Sequence, residues 1–271
     1  MTIKVCIAGV GGRLGSAIAR EVLLDERFEL ASGVVRSDSG YTEQDLGEIA
    51  GAGWVGKTAV VRLEDALDGT DVVIDASTAQ ASGAIARRLT EMGGPALVCG
   101  VTGLGVEQTD ALREASKVFP VLAARNFSIG LTLVEMLVSM AASGLPVERW
   151  DAEISETHHR DKTDAPSGTA LALGEAVAKG REQILDMVAE KGRSGSNQRR
   201  MPGAIGFSSQ RGGGIVGEHV VDFLSSNEVI SIGHRALDRR VFALGALTAT
   251  LWLIRQKPGL YAMKDVIGGQ P

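Results

Sequence analysis

The sequence predicts an α/β protein, a doubly wound parallel sheet followed by a smaller α+β domain. Three observations carry the expectation. Up to about residue 127, short β-branched apolar runs alternate with amphipathic helical stretches. The runs are apolar throughout, as strands covered on both faces require. After "NFSIGL" the order changes, and three strand-like runs follow one another with no helix between them. At 271 residues the chain is longer than the roughly 100–200 residues of one ordinary domain, so two domains fit it well.

In the first half, "IKVCIAGV" is a strand ending in glycine, and "RLGSAIAREVLLD" has helical periodicity. "FELASGVV" and "DVVIDAS" are strands, "ASGAIARRLTEMG" a helix, "PALVCGVT" a strand, "EQTDALREASK" a helix and "FPVLAARN" a strand. Right-handed crossovers stack such units into a doubly wound sheet. In the second half, "GLTLVEMLVSMAASG" reads as one helix. "WDAEISETHH" alternates apolar and polar residues, as a half-buried strand does, and "SGTALALGEAVAKG" is a helix with a Ser/Thr start. Residues 190–203 are polar, glycine-rich and basic, and are expected to form a mobile loop. "AIGFSSQRGG", "IVGEHVVDFLSS" and "NEVISIGHRAL" follow as strands of an antiparallel sheet. The apolar helix "RRVFALGALTATLWLIRQ" is expected to pack back on the first domain. The division is residues 1–127 with 240–271, and residues 128–239.

Composition narrows the function. Apolar residues make up 44% and charged residues 23%, enough to bury a core and to exclude disorder as the main state. The net charge of −5 argues against nucleic-acid and membrane-surface partners, which select a basic excess. The two cysteines, Cys6 and Cys99, lie inside strand-like runs and read as buried thiols, with neither disulfide nor metal spacing. No charged leader precedes a long apolar stretch, and no run reaches the roughly 18 residues of a membrane span. A soluble, cytoplasmic protein is the expectation.

The first strand runs into Gly9, Val10, Gly11, Gly12, Arg13, Leu14 and Gly15. The spacing G-x-x-G-x-x-G, after an apolar strand and opening a helix, is a variant of the dinucleotide fingerprint of Rossmann domains. NAD-preferring sites carry an acid at the end of the second strand. Here that strand ends Val34, Val35, Arg36, Ser37, Asp38. A guanidinium at Arg36 matches a 2′-phosphate better than a hydroxyl, while Asp38 keeps NAD open. "DAST" and "GVTG", the latter containing Gly100, Val101 and Thr102, end the next strands at the same sheet edge.

The densest chemistry is "ETHHRDKTDAPSGTA". His158, His159, Arg160 and Lys162 place four potential cations within five residues. Ser167, Gly168 and Thr169 then open a helix, where N–H and hydroxyl donors meet a positive dipole end. A cationic loop feeding an anion-binding helix start implies a carboxylate or phosphate ligand. His219 and His234 lie in strand-like segments and read as structural.

Together, "AGVGGRLG", "GVTG", "ARNFSIG", "ETHHRDKTDAPSGTA" and "RGGGIVGEH" resemble, in order and over nearly the whole chain, the dihydrodipicolinate (4-hydroxy-tetrahydrodipicolinate) reductase family of lysine and diaminopimelate biosynthesis. The resemblance implies an NAD(P)H-dependent oxidoreductase, with NADPH preferred and NADH accepted. It implies that His158 donates or accepts a catalytic proton and that Lys162 is the proton donor. His159, Gly168, Thr169 and, beyond "HRALD", Arg239 would contact a small dicarboxylate substrate. Residues 9–14, Arg36, Gly100, Val101, Thr102, Ala124, Arg125, Asn126 and Phe127 would line the cofactor. A homotetramer built through the second domain's sheet is implied as well, and no metal. Members that use NADH well can carry an acid where Val35 stands. Where Arg125 stands a small residue or proline is common, and its role stays open between an anion contact and solvent. Thr78 stands where some members have a basic residue. Two rival readings are another two-domain nicotinamide-dependent dehydrogenase and a nucleotide sensor without catalysis. "HHRDKTDAPSGTA" speaks against the first, and the lack of a helix-turn-helix pattern and basic face against a DNA-reading form of the second.

Overall fold

The computed structural model describes residues 2–268 except Asn197. Its contacts separate two units, one running to Ile129 and resuming at Arg240, the other Gly130–Arg239. In chain order the first unit holds β1 (Ile3–Ala8), α1 (Arg13–Leu24), β2 (Phe28–Val34), the short α2 (Leu46–Ile49), β3 (Val72–Asp75), α3 (Ala79–Met92), β4 (Ala96–Cys99), α4 (Val106–Ala115) and β5 (Pro120–Ala123). α5 (Ile129–Gly144) leads into the second unit, which continues with β6 (Asp151–His158), α6 (Gly168–Gly180), α7 (Leu185–Val188), β7 (Ala189–Glu190), β8 (Ile205–Arg211), β9 (Gly217–Leu224) and β10 (Val229–Ala236). The first unit is completed by α8 (Arg240–Leu253), β11 (Gly259–Tyr261) and α9 (Met263–Gly268).

The first sheet has six strands in the order β11-β5-β4-β3-β1-β2, all parallel. Alternation along β1 explains its continuous apolar sequence. Val5 and Ile7 enter one core with Ile18, Val22, Ala246 and Leu253 of α1 and α8. Cys6 and Ala8 enter the other with Ala86, Leu89, Ala111 and Leu112 of α3 and α4. Both faces are covered, so neither set of side chains tolerates polarity. Each buried Val, Leu or Ile among them contributes roughly 1.5–3 kcal/mol. α8 packs against α1 and is fastened there by Arg240, whose guanidinium donates twice to the buried Glu21 carboxylate (2.8 and 2.9 Å). The strand order reverses at β1, between β2 and β3. In open α/β sheets that is where ligands sit, beyond the carboxyl ends of the strands.

The second unit corrects one expectation. Its sheet, β10-β9-β6-β8-β7, is mixed and not antiparallel: β10/β9 and β9/β6 are antiparallel, while β6/β8 and β8/β7 are parallel. The cause is the connection between β6 and β8, which carries α6 and so returns the chain to the starting end of β6, as in a βαβ crossover. The inward row of the sheet holds Ala152 and Ile154 of β6, Phe207 of β8, and Val221 and Phe223 of β9, packed with Leu173 and Val177 of α6 and Val138 of α5.

Three smaller features escaped the sequence reading. β11 is a three-residue parallel edge strand beside β5. β7 spans two residues. The loop around α2 is organised by Asp45, whose buried carboxylate accepts from the amides of Gly47, Glu48, Val55 and Gly56. Two arginines of the basic stretch are tied back to β6: Arg200 meets Asp151 at 2.7 Å and Glu153 at 2.9 Å, and Arg193 meets Glu153 at 2.5 Å.

Candidate active site

In the first unit, ladder hydrogen bonds continue one residue past each strand and align four loops along one edge. Gly9 N–H donates to Val34 O, Ala76 to Ala8 O, Gly100 to Asp75 O and Ala124 to Cys99 O, each at 2.9 Å. The glycine turn closes tightly. Gly9 has φ +81°, and a Cβ there would stand 2.7 Å from Ala76 O, so a side chain is excluded by conformation and by space. A Cβ on Gly15 would collide with Gly9 O, which is how α1 comes so close to the turn. Gly12, the N-cap of α1, offers no side-chain hydrogen bond, so the first-turn amides after it remain available as donors. A backbone cradle at a helix start suits a pyrophosphate.

The expected lining residues divide on inspection. Gly11, Gly12, Arg13, Thr102 and Arg125 lie partly or fully at the surface. Val10, Val101 and Phe127 do not. Val10 is fully buried, Val101 is nearly so, and the Phe127 ring fills the place a Cβ on Gly100 would take. Their apolar side chains belong to the core, so these three can reach a ligand only through backbone atoms. Arg36 is exposed, with its Nε 3.4 Å from an Asp38 carboxylate oxygen. One residue that the sequence reading left without a role supports this edge. Asp75, fully buried at the end of β3, accepts from the N–H (3.0 Å) and hydroxyl (2.5 Å) of Ser77 and braces the "DAST" turn. Burial raises its carboxyl above the usual range.

In the second unit the inward row turns polar at one end. After Ala152 and Ile154, β6 buries Glu156 and His158, and β9 continues its row Phe223, Val221 with His219. The register places Glu156 opposite His219 on β9, and His158 beside Arg211 on β8. Glu156 accepts from His158 Nδ1 (2.5 Å), from both terminal nitrogens of Arg211 (2.8 Å each) and from the Ser167 amide (3.2 Å). Burial would raise this carboxyl, but hydrogen bonds from Arg211, Ser209 and His158 outweigh it and hold it at about 2. Burial lowers His158, with Glu156 opposing, and lowers His219 to about 4, with His158 adding to the effect. The His158 and His219 rings meet edge to face, with centroids 5.0 Å apart.

Lys162 lies beyond His158 with its ammonium on Asp164, whose carboxyl that bond lowers. His159 is half-buried. At the start of α6, Gly168 is exposed and Thr169 half-buried, and their amides belong to the first helical turn, where an N–H has no intrahelical partner. Ser167 corrects an expectation. It is 1% exposed, its hydroxyl caps the Ala170 amide (3.1 Å) and meets His219 Nε2 (3.2 Å), and its amide is spent on Glu156. Ser167 builds the helix start, with its hydroxyl and amide both engaged inside the protein. Arg239 is exposed, three residues beyond the end of β10. Glu156, Arg211 and His219 are the members the sequence reading missed as a group. Glu156 and His219 sit on alternating strands, and that alternation was the available signal. Among the described residues no acid, histidine and cysteine group could hold a metal, and no helix is long and apolar enough to cross a membrane.

Comparison with known proteins points to one family. The family described as dihydrodipicolinate reductase, N-terminus, matches residues 3–127, and that described as dihydrodipicolinate reductase, C-terminus, matches residues 130–267. The chain is similar to the 4-hydroxy-tetrahydrodipicolinate reductases of Caulobacter vibrioides (41% identical, 98% of this chain and 97% of the relative) and Gluconacetobacter diazotrophicus (44%, again 98% and 97%). Among solved structures, a dipicolinate-bound dihydrodipicolinate reductase from Paenisporosarcina sp. TG-14 has the same fold, with a TM-score of 0.77 and 23% identity over 97% of this chain and 98% of that one. An amine dehydrogenase from Mycobacterium smegmatis shares the fold at a TM-score of 0.61 and 13% identity, over 97% of this chain and 95% of that one.

Proposed function

The chain belongs to the dihydrodipicolinate reductase family, and from that premise we propose that it reduces 4-hydroxy-tetrahydrodipicolinate to tetrahydrodipicolinate, using NADPH in preference to NADH. One observation carries the reading. The inward row of β6 ends in Glu156 and His158, and the same segment runs through Lys162 into the exposed start of α6.

The substrate is a cyclic imine with two carboxylates and a ring hydroxyl. Loss of water gives a conjugated imine, and hydride adds at the carbon that held the hydroxyl. One NAD(P)H and one proton are consumed, and NAD(P)⁺ and water are released. When bound, the reduced nicotinamide supplies the hydride. The rest falls to the chain. The amides of Gly168 and Thr169, with the Thr169 hydroxyl and His159, hold a substrate carboxylate and orient the ring. Negative charge develops toward the ring nitrogen as hydride arrives. Lys162 opposes that charge and delivers the proton, and such electrostatic support is often the largest catalytic contribution. His158 takes or returns a proton near neutrality. The glycine cradle at residues 9–15 fits the pyrophosphate, and Arg36 the 2′-phosphate.

The proposal extends to a homotetramer in the cytoplasm, assembled through the second unit's sheet. Val229 and Ile230, exposed on the edge strand β10, support that surface, and sedimentation velocity tests it. The deciding experiment for the activity is oxidation of NADPH and of NADH at matched concentrations with freshly generated 4-hydroxy-tetrahydrodipicolinate. Turnover that does not depend on this substrate would overturn the assignment.

A further inference from the structure

A carboxylate and a guanidinium drawn into the end of a core lose hydration, and well-packed apolar residues would fill the space at less expense. What Glu156 and Arg211 accomplish is visible in where their bonds go. Glu156 Oε2 accepts from His158 Nδ1 at 2.5 Å and from Arg211 Nη1 at 2.8 Å. Oε1 accepts from Arg211 Nη2 at 2.8 Å and from the Ser167 amide at 3.2 Å. Arg211 Nη2 also donates to Asp164 O at 2.6 Å. The carboxylate therefore joins the imidazole, the residue that caps α6 and the arginine that holds it in place, with Ser209 of β8 as a further donor. The arginine in turn pins the turn that leads into the cap.

The consequence for His158 is specific. A carboxylate only accepts, so the proton of the neutral ring sits on Nδ1 and the lone pair on Nε2. Nε2 is turned toward Gly217, where a Cβ would stand 3.0 Å away, so the absence of a side chain keeps room beside that nitrogen.

We infer that Glu156, clamped by Arg211, is the positioning residue of this site: it holds His158 with Nε2 as the proton-accepting atom and, through Ser167, sets the start of α6 that receives the substrate carboxylate. The inference rests on the proposed reductase reaction, in which His158 handles a proton. Glu156 itself touches no substrate. The charged and titratable groups that face His158 are Glu156 on its own strand, Arg211 from β8, His219 from β9 and Lys162 from the loop behind it. Of these, Glu156 favours the protonated ring while Arg211 and Lys162 oppose it, so removal of Glu156 lowers the pH at which His158 gains a proton.

The test begins with the wild-type chain and needs no turnover. In ¹⁵N-histidine-labelled protein at pH 7.5, His158 should show the Nδ1–H tautomer. An Nε2–H tautomer would overturn the inference. In Glu156→Gln, the amide can donate to Nδ1 and so displace the proton to Nε2. General acid–base groups contribute about 10²–10⁴-fold, so kcat should fall by about 10–100-fold. The acid limb of kcat should move to lower pH, with NADPH affinity unchanged. Glu156→Asp, which keeps an acceptor, should recover part of the rate and the Nδ1–H signal. A Glu156→Gln enzyme that melts earlier but keeps the wild-type kcat and pH profile would reduce Glu156 to a structural ion pair. If Glu156→Gln does not fold, Arg211→Lys replaces it: the loosened clamp should lower kcat by less, and because Arg211 itself disfavours the protonated ring, the acid limb should not move to lower pH; an unchanged kcat would count against the clamp. A wild-type chain with the expected tautomer but no reductase activity would instead count against the reaction and not against the tautomer.

Discussion

The ammonium of Lys162 lies 2.8 and 2.9 Å from the two carboxylate oxygens of Asp164, two residues along the same loop. Lys162 is 21% exposed and Asp164 56%, so the pair stands at the rim of the buried cluster. A dicarboxylate arriving at the start of α6 competes with Asp164 for that ammonium. Lys162→Ala should lower kcat by about 10²–10⁴-fold while NADPH affinity stays as it was. Asp164→Asn removes only a partly exposed pair worth roughly 0–1 kcal/mol, so KM should move by no more than about fivefold. Steady-state kinetics with equilibrium NADPH titration separates the two, and wild-type turnover in Lys162→Ala would take the lysine out of the reaction.

The anion site at α6 can be tested by deleting one amide. Gly168 is the first helical residue, and Ser167 before it has φ −64° and ψ 155°, an extended conformation that a following proline accepts. Proline is well tolerated at the first position of a helix, because the N–H it lacks has no intrahelical partner. Gly168→Pro should therefore fold with nearly unchanged thermal stability and raise the KM for substrate by about tenfold, the worth of one charge-assisted hydrogen bond. Thr169→Val should raise KM by less, since its amide stays. A KM unaffected by Gly168→Pro would place the substrate carboxylate elsewhere.

Acid stability should fall in two stages. His219 is buried and held at about 4, below its ordinary 6.5. As pH drops through 6.5 the unfolded chain takes up a proton that the folded chain refuses. Stability is therefore full above pH 6.5 and declines down to pH 4. At roughly 1.4 kcal/mol per pH unit the loss is on the order of 3 kcal/mol. Glu156, held at about 2 instead of 4.5, adds a second loss between pH 4.5 and 2. Urea midpoints from pH 8 to 2 measure both. His219→Gln should flatten the upper stage, and an undiminished slope between pH 6.5 and 4 in that variant would point to another group.

How much of this the sequence disclosed follows the range of the interactions. The alternation of Ala152, Ile154, Glu156 and His158 is local, so β6 and its inward face were legible, as were the glycine turn and the Ser167 start of α6. The partners of Glu156 were not. Arg211 lies 55 residues away, and only the β6/β8 and β6/β9 registers bring it and His219 to the cluster. The same registers turned an expected antiparallel sheet into a mixed one. Ser167 was read as a ligand donor because its residue type and position fit one; its burial against His219 depends on β9, which no local pattern specifies. The family resemblance implies Val10 and Phe127 as cofactor contacts. Their side chains turn into the core, where both faces of the first sheet are covered.

The proposed preference for NADPH rests on the end of β2. Arg36 and Asp38 are both largely exposed and 3.4 Å apart, a pair too solvated to hold Arg36 firmly. A 2′-phosphate offers the guanidinium a better partner, with two parallel hydrogen bonds and more charge. Charge-assisted bonds are worth roughly 1.5–3 kcal/mol, or about ten- to a hundredfold in affinity, and solvent screening takes the expectation to the lower end. NADPH should thus bind about tenfold more tightly than NADH. Arg36→Ala should remove most of that difference by weakening NADPH alone. Asp38→Ala frees Arg36 and takes away a carboxylate within reach of a ribose hydroxyl, so it should favour NADPH further, with NADH weakened or unchanged. Fluorescence titration of both reduced cofactors into the wild type and the two variants gives six dissociation constants. Equal losses of NADPH and NADH in Arg36→Ala would mean that this arginine supports the loop and does not read the 2′ position.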